Sequence, residues 1–458
     1  MTSYIFPDNF RFGVSDADLQ VIGERHTLKH ENSRPSMWTH FAKTSGRCLD
    51  NQTPEEGVDR YHRWQEDIEL LKTLEIKHYR TSVSMARIFN ADGDKNPAAI
   101  KWYRDYFSAL KNAGIRTYAC LYHWELPQRL AEEGGWCNRD IVDHMAEHAR
   151  VVTEELGDLI DEYFLINEPM CIAFLGYHSG EHAPGERSLK KALAAAHNVL
   201  LASGAMFETI VSLNPRAQIS ACFNMSSCYA ADCSAENIKA RRLAEDFNLW
   251  FSHPTFLGRY PEVLLERVER HMPEYSDADM KQIQIGSKLS ALAINYYRGD
   301  IIEAAPESDL GFKSILLDGG KTTGLGWPVF IPPVYPRGLY DLLLNVYRLY
   351  EEHGLNSIYV SENGMALETP WDGKSKIIND PERIEFLSSH IAQVYDAIKA
   401  GAPVKGYFVW TLLDNYEWAY GYAPYSCFGL VHVERPSMQR ILKRSAFWYR
   451  DFIREHGY

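Results

Sequence analysis

The sequence predicts an α/β fold: a single (β/α)8 barrel with elaborated loops at its C-terminal face, with residues 1–458 forming one catalytic domain. Three observations carry this reading. Helical and strand-like segments alternate from end to end, which implies parallel strands joined by right-handed crossovers. Two such strand-like runs end in a carboxylate, Glu168 in Asn167-Glu168-Pro169 and Glu362 in Ser361-Glu362-Asn363-Gly364. The C-terminal tip of a parallel strand is where such barrels place their chemistry. Finally, Pro and Gly are dispersed, and no low-complexity linker divides the chain.

The elements follow in order. A first strand is read at residues 10–14. Residues 62–74 place Trp64, Ile68 and Leu71 on one face at helical spacing, and the run 79–84 reads as a strand. A helix over 99–113 leads through Gly114 into a strand at 117–122. Asn138 is read as the cap of a helix striped by Ile141, Met145, Ala149 and Val152. Tyr163-Phe164-Leu165-Ile166 then leads to Glu168. Helices over 192–213 and 237–251 flank a strand at 218–223. Strands at 292–297, 357–361 and 404–410 alternate with helices over 338–353, 382–400 and 443–455. The long connections 16–61, 258–289, 302–336 and 416–437 are expected at the catalytic rim, because connections of this length in a compact domain are usually functional.

Composition narrows the function. The chain of 458 residues has 48 Lys and Arg against 61 Asp and Glu, a net charge of −13. That argues against nucleic acid and against an anionic membrane surface, both of which call for a basic face. No basic segment followed by an apolar run opens the chain, and no stretch approaches 18 uninterrupted apolar residues, so neither a signal peptide nor a membrane span is expected. The eight cysteines include no Cys-x-x-Cys pair, and no His or Cys cluster completes a metal-ligand pattern. The expectation is reduced, mostly buried thiols in a cytoplasmic protein, with no cofactor and no metal.

Two strand-end carboxylates far apart in sequence suit an acid and a nucleophile facing one glycosidic bond, provided their proton affinities differ. Arg80, near the tip of its strand, and the Tyr297 hydroxyl would keep Glu362 ionised. Glu168, in an aromatic setting with Trp124 nearby, would be kept protonated by burial.

Taken together, the motifs resemble glycoside hydrolase family 1, the β-glucosidase-type retaining enzymes. They run in the family's order from Phe6-Pro7 through Phe10-x-Phe12-Gly13, Tyr61-His62-Arg63-Trp64 and Tyr79-Arg80-x-Ser82. Tyr122-His123-Trp124-Glu125, Gly134-Gly135-Trp136, Asn167-Glu168-Pro169 and Asn295-Tyr296-Tyr297 follow, then Ser361-Glu362-Asn363-Gly364 and the run from Gly406 to Trp418. The resemblance covers nearly the whole chain. It implies Glu168 as acid/base and Glu362 as nucleophile, oriented by Arg80, Asn295 and Tyr297. It implies Gln20, His123, Trp124, Asn167, Trp410, Glu417 and Trp418 as sugar contacts, and Trp327 at the aglycone entrance. The implied substrate is a small-molecule β-glycoside, most simply a β-glucoside. β-Galactosides, β-fucosides, disaccharide glycosides and transglycosylation are the alternatives. The oligomeric state is left open, a homo-oligomer included.

Several positions depart from the family pattern. Acids at Asp16 and Asp18 precede Gln20, Ile22 replaces a glutamate, Met85-Ala86 replace Trp-Pro, and Tyr420 stands where acids are common. The segment Ala423-Pro424-Tyr425-Ser426-Cys427 is longer than usual, and residues 331–335 read as an insertion. Glu417 is present, and no Lys or Arg lies in 416–432, which argues against 6-phosphosugars. With Glu168 present, O-glycosides are favoured over thioglucosides.

Overall fold

The computed structural model describes residues 4–90, 92–315, 321–329 and 336–456. The expected insertion at 331–335 lies outside them. Eight parallel strands close on themselves. They are β1 (Arg11–Ser15), β2 (His78–Ser82), β3 (Arg116–Tyr122), β4 (Glu162–Asn167), β5 (Ile219–Asn224), β6 (Ala291–Asn295), β7 (Ile358–Asn363) and β8 (Val404–Trp410). Each pairs with its neighbours in sequence, and β8 pairs with β1. Closure leaves no edge strand among the eight, and parallel strands covered by helices are apolar on both faces.

The barrel interior is filled by Tyr118, Cys120, Phe164, Cys222, Ala291, Ala293, Tyr359 and Phe408. Beneath them Arg11 pairs with Glu162 at 2.8 Å. The interior is therefore a packed core, and the open end above it is where a barrel of this kind leaves room for a ligand.

Most expected elements stand where the residues put them. The expected second strand stops at Ser82 because the Ser84 hydroxyl caps a short helix, Met85–Ile88, by accepting from the Arg87 N–H at 3.2 Å. Asn138 does not cap the helix Ile141–Leu156. Its side chain accepts from the Asp140 N–H at 3.1 Å and shapes the turn before it, so the local Asx bond displaces the cap. The connection 258–289 is not part of the rim. It leads into the N-terminal end of β6 and packs on the helix Leu189–Leu213, where Gln282 donates to the Leu201 carbonyl at 3.1 Å. That 25-residue helix is long and apolar enough to cross a membrane by length and composition. However, 67% of its most apolar window is buried against the rest of the protein, so packing accounts for its apolarity.

Candidate active site

Glu168 and Glu362 each follow a slip in strand register. Phe164 of β4 faces Ser220, but Asn167 faces Cys222, so β4 gains one residue on β5. Tyr359 of β7 faces Ala293, but Glu362 faces Asn295, so β7 gains one residue on β6. A bulge reverses the inward–outward alternation beyond it. Strict alternation from Phe164 and Tyr359, both inward, would turn Asn167 and Glu362 away from the interior. The bulges turn them in.

The two carboxylates lie on one continuous chain of hydrogen bonds. Arg80 donates to Glu362 Oε1 at 2.5 Å and to Asn167 Oδ1 at 2.5 Å. Asn295 donates to the same Asn167 oxygen at 3.0 Å and to Glu168 Oε1 at 2.7 Å. Ser361 Oγ donates to Asn295 Oδ1 at 2.7 Å, which fixes the orientation of that amide. The Tyr297 hydroxyl donates to Glu362 Oε2 at 2.5 Å, and the Cys171 thiol donates to Glu168 Oε2 at 3.2 Å.

These surroundings separate the two carboxyl groups. Burial, then the negative charge of Glu362, pushes the Glu168 pKa up to about 8. Burial pushes Glu362 up as well, but the Arg80 guanidinium and the Tyr297 hydroxyl pull against it. Glu362, with a cation against it, is the member of the pair that ionises first, and the remaining proton rests on Glu168.

Both groups open into a cavity of about 860 Å3 that is also lined by His123, Trp124, Asn295, Tyr297, Trp327, Trp410, Glu417 and Trp418. Arg80, Asn167 and Gln20 do not line the cavity and stand one layer behind its wall. Gln20 donates to the Tyr416 carbonyl at 2.6 Å and to Glu417 Oε2 at 3.4 Å, leaving Oε1 without a partner among the described residues. The Asn167 oxygen is taken by Arg80 and Asn295, so its amide nitrogen faces His123 Nε2, at 3.1 Å. Burial, then Arg80, holds His123 well below the usual histidine range, so the ring is neutral. With Nε2 accepting from the amide, the ring proton sits on Nδ1, which has no partner among the described residues. Glu417 is pushed well above the ordinary carboxyl range by burial and by the charges of Glu362 and Glu168.

The aromatic wall is interlocked. The His123 ring lies nearly parallel to Trp410 and to Trp418, at 5.7 and 5.9 Å between centroids. Trp124, Glu168 and Trp418 all adopt positive φ without being glycine. Such conformations cost on the order of 1–3 kcal/mol each and persist where the surroundings over-determine them. Gly364 is required for another reason. A Cβ there would lie 2.0 Å from the Trp410 carbonyl oxygen, so the chain after Glu362 runs directly against the strand that carries Trp410.

The unusual acids beside Gln20 do not enter the cavity. Asp16 pairs with Arg60 at 2.6 Å and accepts from Thr81 at 2.7 Å, while Asp18 pairs with Arg87 at 3.1 Å. Met85 and Ile22 are buried, and Tyr420 reaches the cavity mouth. Sequence reasoning passed over Cys171, which opens a π-helical segment, Cys171–Ser179, directly after the carboxylate. The signal available was its i, i+3 spacing from Glu168.

This architecture and site define the chain's class, and the comparisons agree. Residues 2–458 match the model of Glycosyl hydrolase family 1. The chain belongs to that family, whose reaction is hydrolysis of an O-glycosyl bond. It is 36% identical over 464 aligned positions to beta-glucosidase A of Acetivibrio thermocellus, covering 100% of both chains. It is 33% identical to a bifunctional beta-D-glucosidase/beta-D-fucosidase of Bifidobacterium breve, covering 99% of each. The solved beta-glucosidase of Thermotoga maritima in complex with deoxynojirimycin superposes with a TM-score of 0.92 at 34% identity, over 99% of this chain and 100% of that one.

Proposed function

We propose that the chain is a retaining exo-β-glucosidase that removes the non-reducing terminal β-D-glucosyl unit from aryl glucosides or short oligosaccharides. The observation that carries this reading is the single hydrogen-bonded chain from Glu362 through Arg80, Asn167 and Asn295 to Glu168, which holds two carboxyl groups in opposite environments above one cavity. Ionised Glu362 attacks the anomeric carbon while Glu168 gives its proton to the departing glycosidic oxygen. The carbon–oxygen bond to the aglycone breaks as the ester to Glu362 forms. With Glu362 esterified, its charge no longer raises the Glu168 pKa. Glu168, left ionised by the first transfer and no longer opposed by that charge, takes a proton from water as the water oxygen attacks the anomeric carbon and the ester bond to Glu362 breaks. Two inversions return the β configuration.

Trp410 serves as the floor under the pyranose, His123 Nδ1–H donates to a ring hydroxyl, and Glu417 and Trp418 hold the far hydroxyls, with Gln20 orienting Glu417. Asn167 acts from behind the wall, its amide nitrogen facing His123 Nε2 and its oxygen held by Arg80 and Asn295. Trp327 flanks the aglycone. The names of the relatives support glucose as the sugar, and the fucosidase activity named for one of them makes a 6-deoxy sugar the second reading. A reducing, cytoplasmic compartment is part of the proposal, supported by eight free thiols that include Cys171 against Glu168.

Incubation with a 2-deoxy-2-fluoro β-glucoside, followed by peptide mapping, tests the assignment. The label is expected on Glu362. A label elsewhere overturns the nucleophile. A panel of p-nitrophenyl glycosides ranks the sugars, and an added acceptor alcohol separates transglycosylation from hydrolysis.

A further inference from the structure

Away from the cavity, three histidines from two helices converge at the rim. His26 and His30 lie one turn apart on the helix Glu24–Glu31, and His62 lies on the helix Arg60–Thr73. Each can offer a ring nitrogen, and those three nitrogens lie within 4.8 Å of one another. The sequence reading found no cluster of this kind because His62 comes from a separate helix, and the i, i+4 pair His26–His30 alone is too common to mark a site.

The surroundings favour metal binding over a chance gathering. Tyr61 lies nearly parallel to both helix-borne rings, at 6.1 Å and 14° from His26 and at 5.9 Å and 16° from His30, so the two imidazoles are held in common orientation. The His62 ring stands across them, 81° from His26 at 4.4 Å. Asp59 Oδ1 lies 2.6 Å from His62 Nδ1 and 3.5 Å from His26 Nε2. A carboxylate on one ring nitrogen fixes the tautomer and aims the other nitrogen, the usual outer support of a ligating histidine. Nearby cations have partners of their own: Arg25 pairs with Glu56, and Arg63 with Glu66 at 3.2 Å. Arg25 Nε also lies 3.4 Å from His26 Nε2 and would have to yield to an ion.

We propose that His26, His30 and His62 form a binding site for one borderline-soft divalent transition-metal ion, Zn2+ in the first instance, with Asp59 or water completing four-coordination. Imidazole nitrogens select such ions over hard cations. Zn–N bonds near 2.0–2.1 Å require the nitrogens to draw closer than they stand, a shift within the reach of side-chain rotation on an exposed rim. The site is structural. None of the three histidines lines the catalytic cavity. The ion joins the loop after β1 to the first outer helix. Only Gly23 separates the helix Glu24–Glu31 from the short helix Asp18–Ile22, which carries Gln20.

The test is titration of chelator-treated, dialysed full-length protein with ZnCl2 against a chromophoric competitor. One Zn2+ per chain is expected, with a Kd near or below roughly 1 μM. Each of His26→Ala, His30→Ala and His62→Ala should weaken binding at least tenfold. Zn2+ should raise the thermal midpoint of the parent but not of His30→Ala, and Mg2+ should do neither. Hydrolysis by parent and His30→Ala should be equal without metal, which shows that the variant is folded. Absence of stoichiometric binding overturns the proposal. So does unchanged affinity in the three variants, which would place the ion on the thiols.

Discussion

The Cys171 thiol donates to Glu168 Oε2 at 3.2 Å, on the opposite oxygen from the 2.7 Å bond of Asn295. Both donors favour the ionised carboxylate, so they hold down a pKa that burial and Glu362 have driven to about 8. Glu168 must carry a proton to act first, so kcat/KM should fall on the alkaline side with a midpoint near that value. Cys171→Ala removes one donor and should move this limb to higher pH while leaving the acid limb in place. A pH–rate profile of both proteins checks it, and coincident profiles would remove the thiol from the mechanism.

Glu362→Gly should lower hydrolysis by at least roughly 10^4-fold, the scale on which loss of a covalent nucleophile acts. The vacated space lets a small anion attack from the same face. Azide added to the variant should restore turnover of a 2,4-dinitrophenyl β-glucoside and give the α-glucosyl azide, which NMR identifies.

For Glu168→Ala the expected loss is about 10^2–10^4-fold on alkyl and phenyl glucosides, the usual worth of a positioned acid. It should shrink sharply when the leaving group needs no proton. A plot of log kcat/KM against leaving-group pKa should be much steeper than for the parent. Parallel lines would refute the acid role.

Arg80 bonds Glu362 and Asn167 with two nitrogens of one planar fork, which lysine cannot match. Arg80→Lys should cut kcat by about 10^2-fold through misplaced groups. Because the variant holds Glu362 less firmly ionised, the acid limb of the pH profile should move upward. Unchanged limbs with lowered kcat would limit Arg80 to a packing role.

One pair outside the site sets acid stability. Burial alone would raise Asp414, but Lys443 at 2.8 Å and His432 bring it down to about 2, from 3.8. A depressed carboxyl contributes stability that is present above pH 3.8 and lost as the pH falls through about 2. The contribution is about 2 kcal/mol. Asp414→Asn should therefore flatten the fall in thermal midpoint between roughly pH 4 and 2, read by calorimetry.

Much of this was legible in the residues. All eight barrel strands are visible as short strand-like runs between helical stretches, and the pairings of Arg80 and Tyr297 with Glu362 follow from strand-end positions. The layering behind the wall was not. Whether Gln20 and Asn167 face the cavity or support those that do depends on which neighbour claims each amide atom, and that is a property of the assembled site. Asp16 and Asp18 stood out only as departures from the family pattern beside Gln20, because their partners, Arg60 and Arg87, arrive from later elements. The connection 258–289 was assigned to the rim on length alone, and length does not say at which end of a strand a segment enters.

The extra residue in β4 and the one in β7 have an engineering consequence. Deleting one residue from either stretch would leave Asn167 opposite Cys222, or Glu362 opposite Asn295, still turned inward, because pairing with the neighbouring strand and not the residue count sets the aim. Trimming a strand by one codon is therefore a way to vary the backbone beneath the site without turning its tip to the outside.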